Sequence, residues 1–303
     1  MILQKGHQLE YLIKLKNGQI PQGYGVNCDL DKNLRFKRSH FNIFLGHDNV
    51  GKSYFISWYM LTLSMIHGLK WIIWSGENQP AKIVRDMIQM LSGQKFMDLT
   101  EKEIISYSTI IDQHFDFLSN KQLYKPDELL KIFDDADVDG CLIDPFTGLD
   151  RGMSWEENYR FLNKARQFCN MTGKTIYLCT HPNTESGRSG NVYEKKHPFA
   201  GHLRAPMKDA IEGGKAFTNR TDDVIVIHRL TKHPQLRYTT MVSIDKVKDT
   251  DTGGEQTMLD DPIHFDYNFG LGFKINGVDP LAPYRKRKEI ITNLQSKIYG
   301  TNG

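Results

Sequence analysis

The segment from Gly46 to Ser53 constrains this chain more than any other part of its 303 residues. It reads G-H-D-N-V-G-K-S and matches the pattern G-x-x-x-x-G-K-[ST], in which glycines let successive backbone N–H groups point at phosphate oxygens. An apolar run, Phe41 to Leu45, precedes the segment, and an apolar-rich stretch follows from residue 52. A strand, a glycine-containing loop and a helix in this order predict a phosphate-binding P-loop.

Each fixed position of this loop has a physical role in binding a nucleoside triphosphate. Lys52 would supply a positive charge to the terminal phosphates, and the hydroxyl of Ser53 would ligate magnesium. The dipole of the following helix would add positive potential. The expected contacts to ATP, with Mg²⁺ as the cofactor, are Gly46, Asp48, Asn49, Val50, Gly51, Lys52, Ser53 and Tyr54. A glycine-rich turn that binds no ligand is the alternative.

Beyond residue 40, apolar strands alternate with helical stretches, which is typical of a parallel sheet covered by helices. The predicted strands are Phe41–Leu45, Trp71–Trp74, Phe115–Leu118, Cys141–Ile143, Thr175–Cys179, Val224–Ile227 and Tyr238–Ile244, and the predicted helices span residues 52–67, 80–92, 126–134 and 154–170. Several of these strands are apolar without interruption, as expected of strands buried on both faces. The predicted fold class is α/β, with a mainly parallel, twisted sheet flanked by helices.

Three predicted strands end in polar side chains that suit a reaction at the triphosphate. Asp144 directly follows apolar residues and is the expected carboxylate that orients magnesium. Glu77 is the candidate base for the attacking water, and His181 is a candidate sensor of the γ-phosphate. Because the carboxyl ends of parallel strands meet at one edge of a sheet, these groups should converge on the P-loop. The alternatives are a turn-capping aspartate, a solvated glutamate at a helix start and an ordinary strand-end histidine.

Composition and charge place the chain among globular proteins. Apolar residues make up 39% and charged residues 25% of the sequence, which excludes disordered, collagenous and coiled-coil proteins. No apolar run is long enough to span a bilayer, the N-terminus lacks a signal pattern, and the four cysteines are too few for a disulfide scaffold. We therefore expect a cytoplasmic protein without a membrane partner. The net charge of +3 permits a nucleic-acid partner but does not imply one.

The chain is predicted to contain one main domain, at residues 31–275, between an N-terminal arm or linker at 1–30 and a basic tail at 276–303. Apolar residues between positions 9 and 15 have helical spacing, so the arm would contain a brief amphipathic helix. This helix either packs on its own chain or docks on a neighbouring subunit. The stretch from Asn183 to Lys208 contains glycines, prolines and basic residues, and is predicted to be a long functional loop.

The ordered motifs resemble the RecA-type ATPases, and among them the DnaB-like (superfamily 4) replicative helicases, including Twinkle and phage relatives. After the Walker A loop come IIWSGENQPAKIVRDMIQM, CLIDPFTGL, YLCTHP, DAIEGGKAFTNRTDDVIVIHRL and SIDKVKDTDTGG, in that family's order and spacing. The resemblance implies a RecA-like P-loop NTPase that forms a homo-oligomeric ring, expected to be a hexamer. It implies ATP hydrolysis between subunits and 5′→3′ movement along single-stranded DNA. No primase module is found, so a primase partner would be a separate protein; a phage-encoded member would act in the host cytoplasm.

The resemblance also implies roles for single residues. Lys246 and Lys248 fall where the family places a lysine and an arginine finger that act on the neighbouring subunit's ATP. Lysine cannot make the planar, bidentate phosphate contact of arginine. Either Lys248 is a weaker finger, or Arg229 or Arg237 reaches the nucleotide instead, or hydrolysis is slow. The other implied roles are phosphate and magnesium binding for Lys52 and Ser53, Walker B for Asp144, catalysis for Glu77 and switching for His181.

In this family, loops that line the central channel bind the backbone of single-stranded DNA, and the matching segment here runs from Asn183 to Arg220. Its basic residues suit phosphate contacts. They are Arg188, Lys195, Lys196, Arg204, Lys208, Lys215 and Arg220. Because aromatic residues are few (Tyr193, Phe199 and Phe217), the sequence favours backbone tracking over base stacking. A solvated, charge-rich loop is the alternative.

Two other functions stay open at this point. The first is a RecA- or KaiC-like ATPase whose output is recombination, regulation or DNA packaging. The second is a non-catalytic nucleotide-binding assembly module, in which Lys248 in the place of arginine reflects lost hydrolysis.

Overall fold

The computed structural model describes residues 6–152, 154–188 and 190–285. The helices are α1 (His7–Lys16), α2 (Lys52–His67), α3 (Pro80–Ser92), α4 (Glu101–Asp112), α5 (Pro126–Asp135), α6 (Trp155–Thr172), α7 (Lys215–Arg220) and α8 (Ala282–Arg285). The strands are β1 (Phe41–Leu45), β2 (Trp71–Ser75), β3 (Phe115–Phe117), β4 (Gly140–Asp144), β5 (Thr175–Thr180), β6 (Val224–His228), β7 (Thr239–Lys246), β8 (Ile263–Tyr267) and β9 (Phe273–Lys274). The predicted basic tail from residue 286 onward lies outside the described residues.

Within the described residues, the strands form one sheet in the order β3-β2-β4-β5-β1-β6-β7-β8-β9. The first six of these strands are parallel, and β7, β8 and β9 extend the sheet beyond β6 by antiparallel pairing. Helices α2 and α3 pack on one face, and α5 and α6 pack on the other. The prediction of an α/β fold with a mainly parallel sheet flanked by helices is confirmed.

Neighbouring residues of the central strands enter different hydrophobic cores. On β2, Trp71 and Ile73 pack in the core that contains α2 and α3, whereas Ile72 and Trp74 pack in the core that contains α5 and α6. The same alternation runs along β6. Because both faces of the sheet bury apolar side chains, the uninterrupted apolar runs of the sequence correspond to strands.

All predicted strands and helices are present, and their ends differ from the prediction by at most two residues. Sequence reasoning missed α4, α7, α8, β8 and β9. A signal for α4 existed, because Thr100 and Glu103 form a reciprocal capping box at its start. The sequence of β8 has no continuous apolar run, because Phe265 is the only buried residue of this strand.

Residues near both predicted domain boundaries pack against the main domain, and the boundaries themselves stay predictions. Val26 and Leu30 are fully buried in the core that contains α2. The helix α1 leaves Leu9 and Leu12 more than half exposed. At the other end, the guanidinium Nε of Arg285 donates a hydrogen bond of 2.9 Å to the backbone oxygen of Met90. None of the described helices has the length and apolar content needed to cross a membrane.

Candidate functional site

Polar residues that follow several parallel strands meet at one edge of the sheet. The strand register sets this convergence, because Ser75 of β2 pairs with Asp144 of β4, and Leu45 of β1 pairs with Thr180 of β5. The strand ends are therefore level. Segments that leave level, adjacent parallel strands surround a common cleft.

Two glycines shape the P-loop between β1 and α2. Gly51 has a left-handed φ of +86°, and a Cβ atom at Gly46 would lie 2.6 Å from the backbone oxygen of Ile227. A larger residue would strain the backbone at the first position and displace β6 at the second. Val50 anchors the loop, since its side chain is buried in the core. The positive end of the α2 dipole, at Lys52, lies at this loop.

A cavity of about 550 Å³ opens at the P-loop. Nine of the residues that the sequence predicts for the site line this cavity. They are Asp48, Asn49, Gly51, Lys52, Ser53, Tyr54, Glu77, Asp144 and His181. The volume lies within the usual range for small-molecule sites. The cavity thus brings together the candidate catalytic residues Lys52, Glu77 and His181 and both candidate magnesium ligands, Ser53 and Asp144.

Lys52 is held at the floor of this cavity. Its side chain is buried, with the residue 6% exposed. The ammonium Nζ donates to the backbone oxygens of Thr180, at 3.0 Å, and Gly46, at 3.3 Å. A buried ammonium needs such partners, because burial without hydrogen bonds is costly. The lysine is therefore fixed between the ends of β1 and β5.

His181 links the P-loop to the candidate base. Its Nδ1 atom lies 2.9 Å from Oδ1 of Asp48 and 3.5 Å from Nζ of Lys52. Its Nε2 atom lies 3.8 Å from Oε1 of Glu77. The imidazole therefore lies close to the P-loop carboxylate, the ammonium of the cavity floor and the candidate base.

Asp144 and Ser53 fit a magnesium ion that is shared with a nucleotide. Asp144 is 2% exposed, and its Oδ1 atom is buried without a hydrogen-bond partner. Both side chains line the same cavity, and they offer the oxygen donors that Mg²⁺ prefers. In the described part of the chain, no three His, Cys, Asp or Glu side chains form a metal cluster. The two oxygen donors of Ser53 and Asp144 therefore suit an ion that is held jointly by protein and phosphate oxygens.

Sequence reasoning missed three polar residues of α3 and the turn before it that also line the cavity. They are Asn78, Lys82 and Asp86. The amide oxygen of Asn78 accepts a 2.7 Å hydrogen bond from Nζ of Lys82. Their spacing of four residues was the available signal, because it places side chains on one face of a helix.

Arg229 lies beside the P-loop of its own chain. Its Nη2 atom would be 3.0 Å from a Cβ atom at Gly51, and it donates a 2.6 Å hydrogen bond to Oγ1 of Thr240. The guanidinium carbon lies 4.9 Å from the ring centre of Tyr267. Burial lowers the pKa of Arg229 from its ordinary value, but an arginine side chain in a protein stays charged. Arg237 packs instead on Tyr238, with 4.8 Å between the guanidinium carbon and the ring centre.

Lys246 and Lys248 lie at the opposite edge of the sheet. The Nζ atom of Lys246 donates to the backbone oxygens of Thr218 and Thr221, both at 2.6 Å. The Nζ atom of Lys248 lies 3.1 Å from Oδ1 of Asp222. The other oxygen of Asp222 accepts from the backbone N–H of residue 41, where β1 begins. Since the P-loop follows the far end of β1, about 16 Å away, neither lysine reaches the cavity of its own chain.

The predicted nucleic-acid contacts differ in their exposure. The exposed residues are Arg188, Lys195, Lys196, Arg204 and Lys215. Lys208 is partly buried and donates a 3.2 Å hydrogen bond to the backbone oxygen of Asp245. The guanidinium carbon of Arg220 lies 4.7 Å from the ring centre of Tyr159. These last two side chains hold the segment against the domain.

Solved structures share the fold of this chain. The ATPase domain of a phage helicase superposes with a TM-score of 0.70 at 11% identity, covering 91% of this chain and 100% of that one. A DnaB-like replicative helicase, described with its interactions with primase, gives a TM-score of 0.67 at 12% identity and covers 89% of this chain and 68% of that one. The chain has a RecA-like fold. No protein-family model and no curated protein matches the sequence.

The RecA-like fold confirms the resemblance drawn from the motifs at the level of the fold. It also accounts for the position of the cavity, because the P-loop and the strand ends of β2, β4 and β5 lie at the carboxyl edge of the parallel strands.

Proposed function

We propose that this chain hydrolyses ATP and couples hydrolysis to 5′→3′ movement along single-stranded DNA, as a helicase or translocase. The observation that carries the proposal is the gathering of Lys52, Ser53, Glu77, Asp144 and His181 around one cavity at a P-loop. The RecA-like fold shared with two helicase structures supports the same conclusion.

The residues of the cavity have distinct roles in this proposal. Lys52 leaves the backbone oxygens of Gly46 and Thr180 and binds the terminal phosphates. Ser53 and Asp144 would hold Mg²⁺, and the bound ion would supply positive charge to the phosphate oxygens. Glu77 polarises the attacking water, and His181 passes the change in phosphate charge on to the rest of the chain.

The nucleobase would lie on the side of the P-loop where Arg229 packs on Tyr267. The planar guanidinium and the phenol ring offer flat, polarisable surfaces next to Gly51. Tyr54 adds a third group on this side, and its hydroxyl accepts a 2.9 Å hydrogen bond from the backbone N–H of Gly272.

The position of Lys246 and Lys248 supports a site completed by a second copy of the chain. Both lie at the sheet edge opposite the cavity, so they act on a nucleotide only when the subunits form a head-to-tail ring. We propose a homo-oligomer, with a hexamer as the expected form, and a separate primase as a further partner. The exposed residues Arg188, Lys195, Lys196, Arg204 and Lys215 would contact the DNA backbone.

One observation favours the second candidate function, a nucleotide-binding assembly module without turnover. Lys248 stands in the place of the family's arginine finger, and its ammonium is paired with Asp222, whose side chain is 2% exposed. A cation that stays in this pair would not stabilise the transition state of a neighbouring subunit.

Two measurements test the proposal. One is the rate of ATP hydrolysis with and without single-stranded DNA, and the other is the mass of the assembly in the presence of a non-hydrolysable ATP analogue. We expect DNA to stimulate hydrolysis and the analogue to favour the assembled form. Nucleotide binding without turnover would select the assembly module. Turnover without strand displacement on a forked duplex with a 5′ tail would select a RecA- or KaiC-like ATPase.

A further inference from the structure

Residues 191–204 form a compact hairpin inside the segment that the sequence predicts to be a loop. A β-bridge joins Val192 to Leu203, and the backbone N–H of Tyr193 donates a 2.9 Å hydrogen bond to the oxygen of His202. Turns within the tip are closed by backbone hydrogen bonds as well, such as that of 3.0 Å from residue 200 to the oxygen of His197. The hairpin thus has a defined shape of its own.

Four rings of the hairpin and one ring from a distant segment lie close together. The rings of Tyr193 and His197 stack, with centres 4.2 Å apart and planes 16° from parallel. Phe199 meets the edges of this stack at 5.4 Å from Tyr193 and 5.1 Å from His197. His233, in the connection between β6 and β7, lies 6.1 Å from Phe199 and 5.0 Å from the ring of His202. All these rings are partly exposed.

Internal hydrogen bonds orient the rings. The Nδ1 atom of His197 accepts a 3.1 Å hydrogen bond from the backbone N–H of Phe199. The Nδ1 atom of His233 accepts in the same way from Leu236, also at 3.1 Å. Each of these hydrogen bonds ties an imidazole to the backbone beside it, so both rings keep a fixed orientation.

Cations surround the rings on the same hairpin. The guanidinium carbon of Arg204 lies 5.8 Å from the ring centre of Tyr193, and Lys195 and Lys196 are exposed at the tip. Against these three cations stands one carboxylate, Glu194. Flat rings flanked by a net positive charge match a single-stranded nucleic acid, whose bases are flat and whose backbone is anionic.

We propose that the hairpin of residues 191–204 binds nucleobases of single-stranded DNA by stacking, with a base extending the stack of Tyr193 and His197. This proposal rests on the proposed function of the chain as a DNA-dependent ATPase and adds a base contact to its backbone contacts. It replaces the expectation from the sequence that backbone tracking prevails over base stacking. Since every base has a π-face, the contact would tolerate any sequence.

Two oligonucleotides of equal length, oligo-dT and a fully abasic strand, test the proposal on the full chain with a non-hydrolysable ATP analogue. Both carry the same phosphates, so they differ only in the bases. We expect the dissociation constant to be roughly tenfold lower for oligo-dT, the effect of one stacked base. Equal affinity for both strands would overturn the stacking proposal and leave the proposed function intact. Failure to bind either strand would overturn the proposed function itself.

Variants of the hairpin localise the effect. His197→Ala should remove most of the preference for oligo-dT, whereas His197→Phe should retain it, because phenylalanine keeps an aromatic face. The matched control, Lys195→Ala with Lys196→Ala, should weaken both strands equally and reduce the salt dependence of binding. If His197→Ala weakened both strands equally, the ring would support the hairpin only and the stacking proposal would be wrong.

Discussion

Asp48 and His181 lie 2.9 Å apart, from carboxylate oxygen to Nδ1, and this contact joins the P-loop to the residue that follows β5. The same imidazole lies near Lys52 and faces Glu77. An acidic side chain therefore stands at the loop that would receive a triphosphate. The contact makes Asp48 a positioning residue for His181 and also a source of repulsion toward the phosphates.

Replacing Asp48 by Asn should separate these two effects. We expect the dissociation constant for Mg-ATP to fall by roughly threefold, since the Asp48 side chain is largely exposed and its repulsion is screened. The turnover number should fall as well, because His181 loses the carboxylate that positions its ring. Calorimetry and steady-state kinetics at low and high salt measure both changes. An unchanged affinity at low salt would place the carboxylate away from the bound phosphates.

Lys52→Ala should abolish hydrolysis. The lysine is the buried cation of the cavity floor, and its loss removes charge-assisted hydrogen bonds to the phosphates. Turnover should fall by at least roughly a hundredfold, the usual effect of removing one transition-state donor. Lys82→Ala is the matched control, because Lys82 also lines the cavity but bonds to Asn78. Equal losses in the two variants would contradict a specific role for Lys52.

Glu77→Gln should leave ATP binding intact and lower turnover by about 10²- to 10⁴-fold, the range for loss of a general base. The substitution keeps the shape of the side chain and removes its ability to accept a proton. Asp86→Asn makes the same change of charge at another point of the cavity wall and serves as the control. Normal turnover in Glu77→Gln would make this glutamate a surface residue.

Mixing two variants with different defects tests whether Lys248 acts on a neighbouring subunit. Lys52→Ala has a defective P-loop and an intact Lys248, whereas Lys248→Ala has the reverse. Mixed assemblies should regain part of the ATPase activity that either variant lacks, because some interfaces combine an intact P-loop with an intact lysine. The fold should be stable in Lys248→Ala, since Asp222 keeps its contact with Arg166. No recovery on mixing would argue against action between subunits.

Acid should destabilise the fold through His228. Burial lowers the pKa of His228 to about 4, and the ring faces His47, whose pKa burial also lowers. The unfolded chain binds a proton near pH 6.5 and the folded chain does so near pH 4, so stability is full above the unfolded value and falls as the pH drops between them. Between pH 7 and pH 5, His228 should account for about 2 kcal/mol of lost unfolding free energy. Urea unfolding at both pH values measures this loss. The free energy of unfolding of His228→Phe should fall by about 2 kcal/mol less than that of the unchanged chain. An equal fall in both proteins would exclude His228 as the source.

The sequence determined the P-loop, the central strands and the helices that cover them. These features depend on local patterns: the glycines and lysine of residues 46–53, and apolar runs whose neighbouring side chains fill two cores. Even the meeting of Glu77, Asp144 and His181 followed from the rule that parallel strands end at one edge. A local pattern that repeats along the chain carries enough information for such predictions.

Contacts between distant segments depended on the folded chain. The pairing of Asp48 with His181, the stacking of Arg229 on Tyr267 and the place of Lys248 beside Asp222 join residues whose separation in sequence ranges from 26 to 133 positions. The ring cluster of the hairpin was equally hidden, since Phe199 and His233 meet only when the loop folds against the β6–β7 connection. Packing in three dimensions sets these neighbours, and no periodicity along the chain encodes them.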